Sequence, residues 1–75
     1  MKELLEFIAK SLVDNKDEVS VTEKETEDSI TLELRVAAGD MGKVIGKQGR
    51  IAKAIRTVIR SASAKTGKKV IVDIV

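Results

Sequence analysis

The sequence predicts a small α+β domain with the element order α-β-β-α-α-β and one three-stranded mixed sheet whose helices pack on one face. Three observations support this prediction. Apolar residues recur at helical spacing in residues 2–14 and 50–65. They alternate with a period of two in residues 18–25, 29–37 and 69–75. A cluster of glycines between the second and third of these strands predicts a tight loop that divides the helical segment there.

The composition limits the chemistry available to this chain. It contains no Cys and no His, which excludes a disulfide scaffold, the usual structural zinc sites and catalysis by a Cys or His nucleophile. We therefore expect no catalytic residue, metal or cofactor. Phe7 is the only aromatic residue, which argues against modules that stack bases on aromatic side chains. With no targeting signal and no apolar run of ~18–20 residues, we expect a cytoplasmic protein with one domain, residues 1–75.

Charge is divided unevenly along the chain. Residues 1–40 carry five basic and eleven acidic side chains, a net charge of −6. Residues 41–75 carry nine basic side chains and one acidic side chain, a net charge of +8. This division indicates either a surface that meets a polyanion or a solvated basic helix face, and charge alone does not choose between them.

The first half of the chain predicts a helix followed by an antiparallel hairpin. Residues 2–14 form an amphipathic helix, in which Phe7 lies at the edge of the apolar side and either packs at the edge of the core or contacts a partner. Residues 18–25 and 29–37 form the two strands, joined by an acidic turn. Their inward-facing residues are Val19 and Val21, then Ile30, Leu32, Leu34 and Val36.

Two helices separated by a loop follow the hairpin. Asp40 is placed to be the N-cap of a short helix that ends near Ile45. A longer helix covers residues 50–65, and Gly67 is placed to end it. The apolar stripe of this helix is Ile51, Ile55, Val58, Ile59 and Ala62. The basic residues expected on its solvent side are Lys53, Arg56 and Arg60.

Residues 69–75 predict the last strand. A right-handed crossover would place it parallel to residues 29–37, with both crossover helices on one face of the sheet. On the opposite face, Ile71 and Val75 are exposed apolar candidates for a dimer interface, together with Phe7.

The most informative segment contains two glycines, Gly46 and Gly49, just before the longer helix. A ligand backbone can approach closely where there is no Cβ atom, and the N-terminal end of a helix attracts anions. Lys47, Arg50 and Lys43 add positive charge at the same point. These features together predict a phosphate-binding loop.

Two other glycine-rich phosphate motifs do not fit. A P-loop requires Ser or Thr after its Gly-Lys pair, and here Gln48 follows Lys47. The dinucleotide fingerprint G-x-G-x-x-G is absent, and the chain is too short for the fold that carries it. Nucleotide hydrolysis and dinucleotide binding are therefore disfavoured.

The segment Val-Ile-Gly-Lys-Gln-Gly-Arg-Ile, residues 44–51, resembles the I-G-x-x-G signature of KH domains, which hold four nucleotides on a G-x-x-G loop. The element order resembles the type II arrangement of that family. Over the whole chain the sequence is similar to the small bacterial single-KH proteins of the KhpA family. One residue departs from common KH patterns: Ala52 replaces a large aliphatic residue, and we expect Ile51 and Ile55 to supply the packing instead.

The resemblance implies an RNA-binding site and several partners. The residues that it assigns to RNA binding are Lys43, Val44, Ile45, Gly46, Lys47, Gln48, Gly49, Arg50 and Lys53. Of these, Val44 and Ile45 would hold bases in an aliphatic groove. Members of this family bind single-stranded RNA as RNA chaperones, form homodimers, pair with a larger Jag-type KH protein, and are linked to cell elongation and wall synthesis. Whether single-stranded DNA is also bound is left open.

Two other functions are weighed against RNA binding. A protein-interaction adaptor would act through a dimer surface, with RNA binding secondary, but would not require an intact basic loop. An enzyme would need an acid/base pair, and the carboxylates, such as Glu25 and Glu27, are concentrated on predicted strand and turn surfaces without a His or Cys beside them.

Overall fold

The computed structural model describes all 75 residues and has the predicted element order. The elements are α1 (Lys2–Leu12), β1 (Ser20–Glu25), β2 (Ser29–Arg35), α2 (Met41–Ile45), α3 (Arg50–Ala62) and β3 (Lys69–Ile74). Short 3₁₀ turns precede β1 and α2, form the loop between α2 and α3, and follow α3. The predicted α+β fold is confirmed.

The sheet has the strand order β1-β2-β3, with β1 antiparallel and β3 parallel to β2. In the hairpin turn, Thr26 Oγ1 accepts hydrogen bonds from the backbone N–H groups of Asp28 at 3.3 Å and Ser29 at 3.1 Å. Lys69 N–H donates to Asp28 O at 3.0 Å, which places the start of β3 beside this turn. The sheet is therefore mixed, and β3 is one of its edges.

The core lies between one face of the sheet and the two longer helices. Leu5 and Ala9 of α1 and Ile55 and Ile59 of α3 are buried against it. The sheet contributes Val21, Ile30, Leu32, Leu34, Val70 and Val72. Because the inward residues alternate along each strand, the period-two pattern specified which face the helices cover.

The phase of α3 differs from the predicted stripe. Ala52, Ile55, Ile59 and the C-cap residue Ser63 are buried, whereas Val58 is 46% exposed and Ala62 is also exposed. Ile55 lies in the core and Ile51 packs against it, as expected, but the small side chain of Ala52 is also buried, so the helix is rotated relative to the predicted stripe. The helix also ends three residues earlier than predicted, where the Ser63 hydroxyl donates to Ile59 O at 2.8 Å.

Asp40 does not cap α2 with its side chain, as the sequence had suggested. Its buried carboxylate instead accepts hydrogen bonds from the backbone N–H groups of Asn15 at 3.0 Å and Asp14 at 3.3 Å, just beyond the end of α1. The Lys43 ammonium pairs with Asp14 and lies 3.5 Å from Asp40. This cluster joins the segment after α1 to the start of α2. Local capping rules do not predict it, because Asn15 is 25 residues away from Asp40 in sequence.

The cluster changes the acid–base properties of two of its members. The Asn15 N–H lowers the pKa of Asp40, opposed by burial and assisted by the Asp14 N–H and Lys43. The hydrogen bond to Asp14 raises the pKa of Lys43, again opposed by burial. Both shifts stabilise the charged forms at neutral pH.

We predict that Asp40→Asn lowers the melting temperature at neutral pH and that the difference from the unaltered chain shrinks on acidification. A carboxylate whose folded pKa is lowered contributes stability above its unfolded value of 3.8, and this contribution is lost as the pH falls through the folded pKa. Thermal melts between pH 7 and pH 2 measure it. Asp17→Asn, at an exposed position between α1 and β1, is the control. A difference in melting temperature between Asp40→Asn and the unaltered chain that stays constant down to pH 2 would contradict the prediction.

Candidate nucleic-acid interface

The loop between α2 and α3 has an unusual backbone. Three of its four residues have positive φ angles: Gly46 (75°), Gln48 (58°) and Gly49 (73°). Lys47 is the exception. Positive φ is accessible to glycine without strain and is uncommon for a residue such as Gln. The two glycines of the motif therefore stand where the backbone turn requires them.

Gly46 is also required by a close contact with α3. A Cβ atom at this position would lie 2.5 Å from Cγ1 and 2.8 Å from Cβ of Ile51. These atoms are near the α3 backbone and cannot swing away, so only a hydrogen fits between loop and helix. At Gly49, by contrast, a Cβ atom would meet nothing within 4 Å.

The N-terminal end of α3 carries no compensating negative charge. Gly49 is its N-cap, no side chain caps it, and its first turn has no acidic residue. Lys47 and Arg50 are exposed beside it, and Arg50 Nη2 lies 3.5 Å from Gln48 Oε1. The positive end of the helix dipole therefore lies next to two exposed cationic residues, an arrangement that suits a phosphate.

The aliphatic pair before the loop is divided between surface and core. Ile45 is 37% exposed and lies next to Gly46, where it can contact a ligand. Val44, predicted to share this role, is completely buried, which corrects the prediction: in a one-turn helix packed against the domain, adjacent residues point in different directions. Val44 supports the loop from inside.

The predicted basic residues differ in whether they are exposed and whether they form ion pairs. Lys47, Arg50 and Lys53 are exposed and form no ion pair, whereas Lys43 is bound to Asp14 and Asp40. Arg56, predicted to face solvent, is half-buried, and its Nε donates to Val72 O at 3.2 Å. Sequence periodicity had no signal for this contact, because the acceptor is a backbone atom of the sheet edge.

A second exposed feature is an apolar groove between α1 and α3, which we call the α1–α3 groove. Eight of its nine lining residues are hydrophobic, and its volume is about 500 Å³. Its lining is Leu4, Phe7, Ile8, Leu12, Arg50, Ile51, Ala54, Ile55 and Val58. Phe7 is 70% exposed. The groove was not predicted as a unit, although Val58 belonged to the predicted stripe.

The other candidates for partner contact lie on the opposite face of the sheet. Ile71 is half-buried and Val75 is exposed at the end of the chain. Ile71 pairs with Thr31, and the neighbouring pair is Glu33 with Asp73, so this face is largely polar. No helix has the length and apolarity needed to cross a bilayer, and no group of three or more acidic side chains converges to hold a metal ion.

Comparison with known proteins gives one consistent result. The family model described as "KhpA/KhpB, KH domain" matches residues 2–74. "RNA-binding protein KhpA" of Clostridium acetobutylicum is 68% identical over the full length of both chains. The protein of the same name from Aquifex aeolicus is 53% identical, covering 99% of this chain and 94% of its own. No solved structure matches the chain. The predicted resemblance is confirmed.

We predict that Gly46→Ala destabilises the domain more than Gly49→Ala. Gly49→Ala places a side chain in the left-handed region, at a cost of about 1–2 kcal/mol, whereas Gly46→Ala places one in a region that is essentially restricted to glycine, at about 1–3 kcal/mol, and adds a clash with Ile51, at about 1–3 kcal/mol more. Urea denaturation of the two variants measures the difference. Equal losses of unfolding free energy would show that the contact with Ile51 relaxes without cost.

Proposed function

The chain belongs to the KhpA/KhpB family of KH domains, and on that premise we propose that it binds single-stranded RNA through residues 46–49. The observation that supports this most directly is the loop itself: two glycines at positive φ stand before an uncapped helix N-terminus. The relatives named above are called RNA-binding proteins, which agrees with the proposal.

In this proposal the loop recognises the sugar–phosphate backbone. Gly46 and Gly49 present no side chain, so a phosphate can approach the loop backbone and the N-terminal end of α3. Lys47, Arg50 and Lys53 supply formal charge around that point. Each phosphate neutralised on a single strand contributes about −0.7 to the slope of log affinity against log salt. Three or four contacts would therefore give a slope of roughly −2 to −3.

Bases would rest on aliphatic rather than aromatic surface. Ile45 offers an exposed side chain beside the loop, and Val44 supports it from the core. Without base stacking, worth about 1–3 kcal/mol per base, affinity and base selectivity are both modest. Because the loop addresses phosphates, single-stranded DNA is a second potential ligand. Lys43 contributes little here, since Asp14 and Asp40 already balance its charge.

The cellular role that we propose follows from weak selectivity. A domain that binds the RNA backbone with little base selectivity suits an RNA chaperone and post-transcriptional regulator in the cytoplasm. A link to cell elongation and wall synthesis is what membership of the small single-KH family implies. The proposal includes no catalytic step, because no His or Cys is present to act as base or nucleophile.

We propose further that the chain forms a homodimer through the α1–α3 groove. Phe7 projects from one side of a concave surface formed by its own domain, so a two-fold pairing could insert each Phe7 into the groove of the other copy. Burial of Phe7 and Val58 would remove from water the most exposed large hydrophobic side chain and a second one that is half-exposed. The alternative occupant is the Jag-type KH partner, which would favour the adaptor function.

We predict that Lys47→Asp combined with Gln48→Asp weakens RNA binding by about 10- to 150-fold, because hydrogen bonds to charged groups contribute about 1.5–3 kcal/mol. Asp tolerates the positive φ of residue 48 better than most side chains, so the fold is expected to survive. Fluorescence anisotropy with a labelled single-stranded RNA measures affinity, and circular dichroism verifies folding.

The matched control for the loop variant is Lys10→Asp combined with Ser20→Asp. It changes the net charge equally, at two exposed positions on other elements, and Ser20 lies opposite Arg35, which can pair with the new carboxylate. If the folded loop variant binds RNA no more weakly than this control, RNA recognition through residues 46–49 is refuted.

We predict that Phe7→Gln combined with Val58→Gln weakens dimerisation by about 30-fold or more, since a central interface residue typically contributes about 2 kcal/mol or more. Both side chains are exposed in the monomer, so folding should be unaffected. Light scattering should give twice the 8.1 kDa chain mass for the unaltered protein and a lower mass for the variant.

Ile71→Gln, on the opposite face of the sheet, is the control for the dimer variant. If Ile71→Gln dissociates the dimer and the groove variant does not, the interface lies on the sheet. If the unaltered chain has the mass of a monomer throughout, the homodimer proposal fails.

A further inference from the structure

A basic cavity lies at the end of α3 furthest from the loop. It occupies about 260 Å³ between the last turn of this helix and the first residues of β3. Arg60, Lys68 and Lys69 contribute to its lining, together with the buried residue Ser63. Arg50 and Arg60 are ten residues apart in a helix that rises 1.5 Å per residue, so the cavity lies about 15 Å from the loop.

The cavity carries positive charge that the protein neutralises only in part. Lys68 is paired with Glu25 and also donates to Thr26 O at 3.0 Å, so its charge is already balanced. Neither Arg60 nor Lys69 has a carboxylate within ion-pair distance. Two uncompensated cations beside one concave surface suit an anionic group.

A row of cations connects the loop with this cavity. Lys53, Arg56 and Arg60 are spaced i, i+3 and i+7 and therefore share one face of α3. The hydrogen bond from Arg56 to Val72 O shows that this face borders the edge strand β3. No acidic residue occurs between Asp40 and Asp73, so nothing within this part of the sequence interrupts the row.

We propose that the cavity is a second phosphate-binding subsite, which extends the bound RNA along α3 beyond the nucleotides held by the loop. The inference rests on the proposed function and adds to it the length of RNA that the protein binds. The loop of a KH domain holds four nucleotides. At roughly 3.4 Å per phosphate in a stacked strand, 15 Å measured from the loop spans about four phosphates, part of which the loop-bound nucleotides already cover. The bound RNA is therefore longer than four and at most about eight nucleotides, and Arg60 and Lys69 hold the distal phosphates.

The test compares oligouridines of four, eight and twelve nucleotides on the unaltered protein and on Arg60→Gln combined with Lys69→Gln. The unaltered protein should gain affinity from four to eight nucleotides and little beyond. The variant should bind four nucleotides normally and lose the gain at eight. Its salt slope for eight nucleotides should be smaller by about 1.4, a factor of about seven between ~50 and ~200 mM salt.

Two further variants isolate the role of the cavity. Lys2→Gln combined with Lys10→Gln makes the same charge change at exposed positions of α1 and should leave the length dependence intact. Arg60→Lys combined with Lys69→Arg keeps both charges and should preserve the salt slope. This variant therefore distinguishes the contribution of charge from that of side-chain packing.

The possible outcomes distinguish this inference from the proposed function. Equal weakening of the four- and eight-nucleotide RNAs, or no change in either, would overturn the subsite while leaving the loop in place. An unaltered protein that binds none of the three RNAs would refute the proposed function and the subsite with it.

Discussion

The contact between Gly46 and Ile51 is the constraint on which the functional surface depends. The loop backbone can lie against α3 only because residue 46 has no Cβ atom, since one would approach Ile51 to within 2.5 Å. Ile51 in turn packs against the hydrophobic core and lines the α1–α3 groove. One side chain therefore contacts the loop, the core and the groove. The position of the loop backbone proposed to bind phosphate is set by packing rather than by the charged residues around it.

This contact makes the two proposed surfaces neighbours. Arg50 begins α3 beside the loop and also lines the α1–α3 groove, and Ile51 follows it. A second copy bound in the groove would contact Ile51, the side chain that packs beside Gly46. Dimer formation would therefore act on a residue that positions the loop, and a dimer would bring two loops onto one RNA with a gain in apparent affinity.

The sequence was sufficient where local patterns determine structure, and insufficient where distant groups meet. Alternation of apolar residues predicted the three strands and their inward faces, and the glycine spacing predicted the loop. The sequence predicted Asp40 as a helix N-cap, but its carboxylate binds the N–H groups after α1, which are far away in sequence and close only in the folded structure. The phase of α3 was misjudged because Ala52, a small residue, occupies a buried position that a hydrophobicity pattern assigns to larger ones. The burial of Val44 has the same origin, since a one-turn helix is too short to show a periodicity.

Charge distribution explains why this small domain can present a directional basic surface despite a net charge of only +2. Of the nine basic residues in the second half of the chain, only Lys43 and Lys68 form ion pairs with acidic residues. Lys43 lies in α2, near the start of the crossover, and Lys68 immediately precedes β3. The ion pairs of these two lysines therefore link the second half of the chain to the first at both ends of the helical segment. The remaining cations, on the loop, α3 and the segment that leads into β3, stay uncompensated. Only β1 of the acidic hairpin lies at the other edge of the sheet; its acidic turn lies beside the start of β3, where Glu25 pairs with Lys68. Ion pairing therefore links both ends of the helical segment to the first half of the chain, and the cations left unpaired determine which side of the domain attracts a polyanion.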